Sequence, residues 1–271
     1  MKLLTLNLHN LPLTFRKEHM DAFAKAIAEL RPNVIALQEV FAVDSEKGNA
    51  SPAEHPPENE SPLAPLLDYL ALYGMHYHGV WKPIKIGYGT YREGVAILSD
   101  SPVTEEFFLT VSDTEDENDW KKRGILGISV ENYPDELFFS VHYGWWGDAD
   151  EPFARQWTKT ARFLSPLREK RQIWLMGDFN NPAHRRGEGY DLLTKDGWQD
   201  AYLAAPHREG EITVSGAIDG WQGDASGKRI DFIFASRPVR IKCAKTVLDG
   251  VRHPVVSDHY GLWVECGEVD S

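Results

Sequence analysis

Five parts of this 271-residue chain set ionisable or amide side chains at the ends of apolar runs. Asn7 lies inside Leu4-Thr5-Leu6-Asn7-Leu8, and Gln38-Glu39 closes Val34-Ile35-Ala36-Leu37. His142 closes Leu137-Phe138-Phe139-Ser140-Val141, and Gly177-Asp178-Phe179-Asn180 follows Ile173-Trp174-Leu175-Met176. The fifth part joins Arg229-Ile230-Asp231 with Ser257-Asp258-His259. Polar groups in such places are costly unless they are paired or bound to something. Singly, each has a bland reading: a satisfied core amide, an exposed carboxylate, a structural histidine. Together they offer Glu39, Asp178, Asp231 and Asp258 as hard oxygen donors, Asn7 and Asn180 as amides, and His142 and His259 as proton carriers. Mg²⁺ prefers a few carboxylates plus water, so the set suits Mg²⁺ better than Zn²⁺, with Mn²⁺ as the alternative ion. A histidine beside a carboxylate is a natural general base. No HExxH, GxSxG, P-loop or GxGxxG pattern is present.

The elements that must position these groups are legible from pattern. Leu4, Leu6 and Leu8 alternate as a strand does, and residues 17–30 carry Met20, Phe23, Ala24, Ile27 and Leu30 at helical spacing. Further strands are expected at 34–37 (ending at Gln38-Glu39), 76–81, 94–99, 103–110, 125–130, 137–142, 173–176, 230–235, 239–247 and 260–265. A turn containing Pro134 and Asp135 joins two of them, and Gly177 is expected to turn the chain sharply. Helices are expected at 63–72, at 152–167 with Pro152 near the first turn, and at 190–195, ended by Gly197. Segment 45–61 is rich in Glu, Pro, Ser and Asn, and reads as a flexible insertion, with a lid over the site as the alternative. Strands outnumber helices without regular βαβ alternation, which predicts mixed sheets with helices outside them. The expectation is one domain spanning residues 1–271.

Charge separates the functional classes. Lys plus Arg is 29 against 41 Asp plus Glu, a net of -12. A protein that grips many nucleic-acid phosphates presents a basic surface, so nucleic acid is the less favoured partner. Cys243 and Cys266 show no metal-ligand spacing and read as reduced thiols. Asn7, His9 and Asn10 interrupt the apolar start, and no apolar stretch of about 18 residues could span a bilayer. The expected address is the cytoplasm, with no membrane partner.

In order and type, Thr5-Leu6-Asn7, Gln38-Glu39, Gly94-Val95-Ala96-Ile97-Leu98-Ser99, His142, Gly177-Asp178-Phe179-Asn180, Arg229-Ile230-Asp231 and Ser257-Asp258-His259 resemble the endonuclease/exonuclease/phosphatase superfamily. Each motif is short, but the ordered set runs from residue 7 to residue 259. The resemblance implies a four-layer α/β sandwich, two packed mixed β-sheets flanked by helices. A closer likeness is to a bacterial branch of maltose 6'-phosphate phosphatases. It is carried by His142-Tyr143-Gly144-Trp145-Trp146, Asp150-Glu151-Pro152-Phe153, Gly187-Glu188-Gly189-Tyr190-Asp191, Ile218-Asp219-Gly220-Trp221 and Asn118-Asp119-Trp120-Lys121.

The resemblance assigns Glu39, Asn7 and Asp258 to the metal. It makes His259 the general base or proton relay, oriented by Asp231. Asp178 positions or deprotonates the attacking water, Asn180 holds that water or a phosphate oxygen, and His142 stabilises phosphate charge, oriented by Glu93. Trp120, Trp145 and Trp146 could cover a sugar face, and Lys122 and Arg123 could meet a phosphomonoester. The expected activity is Mg²⁺-dependent hydrolysis of a phosphate monoester by in-line water attack, on a small phosphorylated sugar such as maltose 6'-phosphate. The alternatives are a nuclease or phosphodiesterase on the same core, and a binding module with a dead site. The last should lack one of Glu39, His142, Asp178, Asp231 or His259, and all are present.

Overall fold

The structure is a computed structural model that describes residues 1–9, 17–43, 61–89 and 91–267. The insertion expected at 45–61 lies outside the described residues apart from Ser61. The strands are β1 Lys2–Asn7, β2 Val34–Val43, β3 His78–Gly87, β4 Tyr91–Ser99, β5 Val103–Thr110, β6 Gly124–Val130, β7 Tyr133–His142, β8 Gln172–Asp178, β9 Gln199–Asp200, β10 His207–Glu209, β11 Asp231–Ala235, β12 Ile241–Val247 and β13 Gly261–Cys266. The helices are α1 Lys17–Leu30, α2 Ala64–Leu72, α3 Phe153–Arg168, α4 Gly189–Lys195 and α5 Ala201–Ala204.

Among the described residues the strands form two mixed sheets. The first runs β10-β12-β13-β1-β2-β4-β3, and the second runs β5-β6-β7-β8-β11-β9. Inward residues Leu3, Val34, Ala36, Val95 and Ile97 of the first meet Leu126, Ile128, Phe138, Trp174, Met176 and Ile233 of the second. The opposite face of the first sheet, with Leu4, Leu6, Ile35 and Leu37, packs under Met20, Phe23 and Ile27 of α1 and Leu66 and Leu70 of α2. The far face of the second, with Phe139, Leu175, Phe232 and Phe234, packs under Trp157 and Leu164 of α3 and Leu193 of α4. Central strands are therefore buried on both faces, which is why they read as unbroken apolar runs. The order of layers is helix, sheet, sheet, helix.

Three local features differ from the sequence expectation. β2 does not stop at Glu39: it bulges there and continues to Val43. Pro134 and Asp135 lie within β7, and the turn falls at Glu131-Asn132. Gly177 does not turn the chain. It sits within β8 at φ 154, and a Cβ there would meet the Val141 carbonyl oxygen at 1.9 Å. Glycine is needed so that β8 can approach β7 closely, setting His142 beside Asp178 in register.

Candidate active site

The ends of β1, β7, β8 and β11 meet the bulge of β2 at one edge of the sandwich. Parallel pairing of β1 with β2 sets Asn7 opposite Gln38, and pairing of β8 with β7 and β11 sets Asp178 opposite both His142 and Asp231. Buried Gln38 donates from Nε2 to Ser140 Oγ at 2.9 Å, and that hydroxyl donates to the Leu37 carbonyl. This polar tie crosses between the sheets and fixes β2 against β7. Such a tie is stabilising only when its groups are satisfied.

The residue after Gln38 is turned by the bulge. From Leu37 to Val40, β2 advances three residues while β4 advances two. Glu39 takes φ 50, a left-handed conformation that costs on the order of 1–3 kcal/mol for a side chain that is not glycine. A bulge re-aims a side chain, and here Glu39 faces the cavity instead of joining the strand's regular alternation. Its Oε1 accepts a hydrogen bond from Asn7 Nδ2 at 2.9 Å. Burial works to raise the Glu39 carboxyl. The contact with His9, then those with His142 and Asn7, outweigh it and hold the group well below the usual carboxylate range.

Asn7 joins the two sheets' chemistry, since its Nδ2 also lies 3.3 Å from Asp178 Oδ2. Asp178 is 2% exposed. Burial, then the charge of Asp231, pushes its carboxyl up to about 7. Asp231 is fully buried and its Oδ2 pairs with His259 Nδ1 at 2.9 Å. His259 Nε2 is 3.9 Å from Asp178 Oδ2, and His142 Nε2 is 3.7 Å from the same oxygen. Burial works to lower His259, but the charges of Asp231, Asp178 and Asp258, with the Asp231 hydrogen bond, push it up to about 10. His142 goes the other way: burial and the charge of Arg123 hold it well below its ordinary value, as a neutral imidazole. Two histidines thus face one carboxylate in opposite protonation states. Such divergence is how a site separates charge stabilisation from proton transfer.

Asp258 and Glu39 approach a common point occupied by the His9 ring. His9 Nδ1 lies 3.4 Å from Glu39 Oε2 and 3.5 Å from Asp258 Oδ2, and the Glu39 contact raises its pKa. The two carboxylates therefore face a position that calls for positive charge, and their hard oxygens fit a divalent ion. Ligand atoms of Asp178, Asp231 and His259 also fall within 4.8 Å of one another. In that group Asp231 Oδ2 and His259 Nδ1 already bond each other, so the Glu39–Asp258 side fits an ion with less disruption.

His9, Glu39, His142, Asp178, Asp258 and His259 line a cavity of about 540 Å³, with Asn7 and Asp231 behind them. Its other wall carries Lys85, Glu93, Trp120, Arg123 and Trp145. Lys85 Nζ pairs with Glu93 Oε1 at 3.2 Å. The carboxylate beside His142 is therefore Asp178, and Glu93 serves Lys85 rather than orienting His142. The Arg123 guanidinium lies 5.7 Å from the Trp145 ring, which in turn is 5.8 Å from the Trp120 ring. Asn180 also lines the cavity. Its amide is engaged by Tyr143 O at 2.9 Å and Trp221 Nε1 at 3.0 Å, and its backbone N–H donates to Asp178 Oδ1 at 2.8 Å. It thereby braces Asp178.

Lys122 departs from expectation. Its Nζ donates to the Glu115 carbonyl at 2.9 Å, within its own loop and away from the cavity wall. The cation that sequence reading missed is Lys85. Its signal was a charge between Ile84 and Ile86 on a strand, costly without a partner. His9 was missed as well, although it stands two residues beyond Asn7. Trp146 lies on a neighbouring cavity.

The loop bearing Trp120 and Arg123 is held by Glu151. This buried carboxylate accepts the Asp113 N–H at 2.9 Å and the Thr114 N–H at 2.8 Å. Lys121 adds contacts of 2.9 Å to Asp148 and 2.7 Å to Asp150. Charge-assisted bonds of this kind contribute roughly 1.5–3 kcal/mol. Glu151→Gln is expected to raise KM about tenfold, the equivalent of about 1.4 kcal/mol, with kcat little changed. Steady-state kinetics with an unaltered KM would remove this role.

A sequence profile described as the Endonuclease/Exonuclease/phosphatase family matches residues 4–259. No curated protein matches the chain. Among solved structures, an endonuclease/exonuclease/phosphatase family protein from Leptotrichia buccalis C-1013-b is similar at 28% identity and TM-score 0.84, covering 99% of this chain and 100% of its own. A mannosyl-6-phosphatase from Bacteroides thetaiotaomicron VPI-5482 is similar at 18% identity and TM-score 0.67, with 99% and 100% covered. Truncated TDP2 from Caenorhabditis elegans is similar at 18% identity and TM-score 0.63, with 98% and 97% covered. The last two likenesses concern the fold alone.

Proposed function

This chain belongs to the Endonuclease/Exonuclease/phosphatase family, whose members are metal-dependent hydrolases of phosphoester bonds, and from that premise we propose that it is a Mg²⁺-dependent phosphatase acting on a phosphorylated sugar. The observation that carries the choice of a small monoester is the charge of the cavity. Among the described residues its lining holds one lysine and one arginine, Lys85 and Arg123, with His9 and His259 beside them, against the carboxylates of Glu39, Glu93, Asp178, Asp219 and Asp258. A groove for a nucleic-acid strand needs many cations along its length. One phosphate needs few, and the volume is in the range of small-molecule pockets.

In this reading Glu39 and Asp258, with Asn7 behind them, would hold the ion. A bound divalent ion supplies neutralisation of phosphate charge. His142 and the cations Lys85 and Arg123 face the phosphate oxygens, and protonated His259 stabilises the charge that builds on them. Asp178, poised near neutrality, takes the proton of the attacking water; a base of that pKa is well matched to the task. Asp231 keeps His259 oriented. Water attacks phosphorus in line with the leaving sugar oxygen: the new P–O bond forms as the P–O bond to the sugar breaks, the sugar oxygen leaves as a hydroxyl with a proton from solvent, Asp178 returns its proton to solvent, and no covalent enzyme intermediate forms.

A hydrolysis screen tests the proposal, reading released phosphate for the monoesters, nicking for plasmid DNA and released phosphocholine for sphingomyelin. With Mg²⁺ present, sugar phosphates including maltose 6'-phosphate are expected to outpace nucleotides, plasmid DNA and sphingomyelin by at least about tenfold in kcat/KM, about 1.4 kcal/mol of transition-state preference. Faster cleavage of a diester would sink the monoester reading.

A further inference from the structure

One wall of the main cavity, with Ile218, Asp219 and Gly220, belongs to a loop spanning residues 214–228. Backbone bonds of 2.9 and 3.0 Å between Val214 and Lys228 close its root. Loops whose ends adjoin are packed by their own side chains, and here the filling is a charge. Lys228 is 1% exposed, and its Nζ donates to the carbonyl oxygens of Gly216 at 3.2 Å, Asp224 at 2.9 Å and Ser226 at 2.8 Å. An ammonium has three donors, and all three are spent. Gly216 lies on the outgoing limb, Asp224 and Ser226 on the returning one, so one compact cation ties both limbs. Asp224 Oδ1 stands 3.9 Å from Nζ and offsets part of the charge. A lysine so deeply buried is costly unless it is paired in this way, and neither proton transfer nor phosphate binding as derived above uses it.

We propose that Lys228 is a positioning residue, an internal cation that holds this wall in place, and that a small external ammonium takes over its site once the side chain is cut back. The inference rests on the main cavity being a phosphoester site and names what holds one side of it.

Two contacts carry the effect from Nζ toward the reaction centre. The ammonium lies 5.6 Å from the Trp221 ring, which packs with Val214 and Ile230 and against Trp145 and Ile218. Trp221 Nε1 donates to Asn180 Oδ1 at 3.0 Å, and the adjoining Gly220 lies directly against Trp145, where a Cβ would meet the ring at 2.1 Å. Without the ammonium, three carbonyls lose their donor and turn to water, the limbs part, and Asp219, Gly220 and Trp145 lose their places around the substrate. Asn180 keeps its Nδ2 on Tyr143 O at 2.9 Å and its backbone N–H on Asp178 Oδ1 at 2.8 Å, so the water-activating side survives. Loss of Lys228 therefore falls on KM rather than kcat.

The test is Lys228→Ala with and without n-propylammonium, the fragment the substitution removes, on whichever phosphoester the hydrolysis screen finds cleaved fastest. KM is expected to rise at least about tenfold with kcat changed by less than about threefold, spans of about 1.4 and 0.7 kcal/mol. Propylammonium should restore KM saturably, and tetramethylammonium at the same ionic strength should not. A wild-type KM, a loss confined to kcat, or a raised KM that propylammonium leaves unchanged overturns the proposal. Chymotryptic cleavage after Trp221 reads the wall without turnover: faster in the variant and slowed again by propylammonium is the expected result, and an unchanged rate overturns the role. If no phosphoester is hydrolysed, the phosphatase reading falls and this cleavage still decides the place of Lys228. Should Lys228→Ala not fold alone, folding on addition of propylammonium supports the site, and Lys228→Met, which fills the space without donors, supplies the KM comparison. Failure of both variants to fold with the amine present overturns the positioning role, because the ammonium then serves the whole fold.

Discussion

His259→Ala is expected to lower kcat by roughly 10²–10³-fold, the usual worth of one preorganised group that stabilises charge developing in the transition state, with a much smaller change in KM. The reason is geometric. The imidazole lies 2.9 Å from Asp231 and 3.9 Å from Asp178, with Asp258 close enough in charge to raise its pKa. Its positive charge is therefore present before substrate arrives, and its contribution grows as negative charge builds on the phosphate. Removing it leaves Asp231 buried with neither oxygen partnered among the described residues, because Oδ1 already has no hydrogen-bond partner among them. Breaking a buried pair in this way costs on the order of 3–5 kcal/mol of stability, so the melting temperature must be measured beside kcat. The double variant Asp231→Asn/His259→Ala removes that stranded charge. It should recover much of the stability and none of the turnover. The effects of two residues that act as one unit are not additive. If His259→Ala, folded by its melting curve, turns over within about threefold of wild type, a span of about 0.7 kcal/mol, the assignment fails.

Glu39→Gln is expected to weaken divalent-ion binding by at least about 100-fold, the scale on which even supporting partners of a metal site act. Activity at limiting Mg²⁺ should fall with it and return in part at high Mg²⁺. The substitution keeps an amide oxygen for the Asn7 hydrogen bond, so it removes charge while sparing shape. The backbone at Glu39 strengthens the case. A left-handed conformation at a residue that is not glycine is retained only where the surroundings hold it, and here the bulge aims a carboxylate at Asp258 across His9. Calorimetric titration with Mn²⁺ checks the claim. An affinity within about threefold of wild type, about 0.7 kcal/mol, would place the ion elsewhere and bring the Asp178, Asp231 and His259 group forward.

The central elements were legible because they obey simple periodicities. α1 was readable at both ends, since Met20, Phe23, Ala24 and Ile27 fall on one helical face. The double-faced strands were readable as apolar runs, and polar residues at their ends marked the site edge. Conformation within a strand was not readable. Gln38 and Glu39 look like a strand's end in sequence, because a bulge has no composition of its own. Gly177 resembled a turn residue, whereas its requirement comes from Val141 on a strand far away in the chain. Lys122 and Lys85 show the same limit: both are lysines near aromatic or apolar neighbours, and only packing decides which one faces the cavity. Short elements such as β9, β10 and α5 follow from tertiary contacts, including the Asp200 side chain that caps α5, and carry too few residues for a periodic signal.

One ion-holding pocket at this edge of the sandwich that drives water onto phosphorus would leave an isotopic signature. Single-turnover hydrolysis of maltose 6'-phosphate in H₂¹⁸O, with and without Mg²⁺, tests it most directly. The predicted result is one ¹⁸O in the released phosphate, none in the sugar, and no reaction after chelation. Label in the sugar hydroxyl, or equal release without a divalent ion, would contradict it.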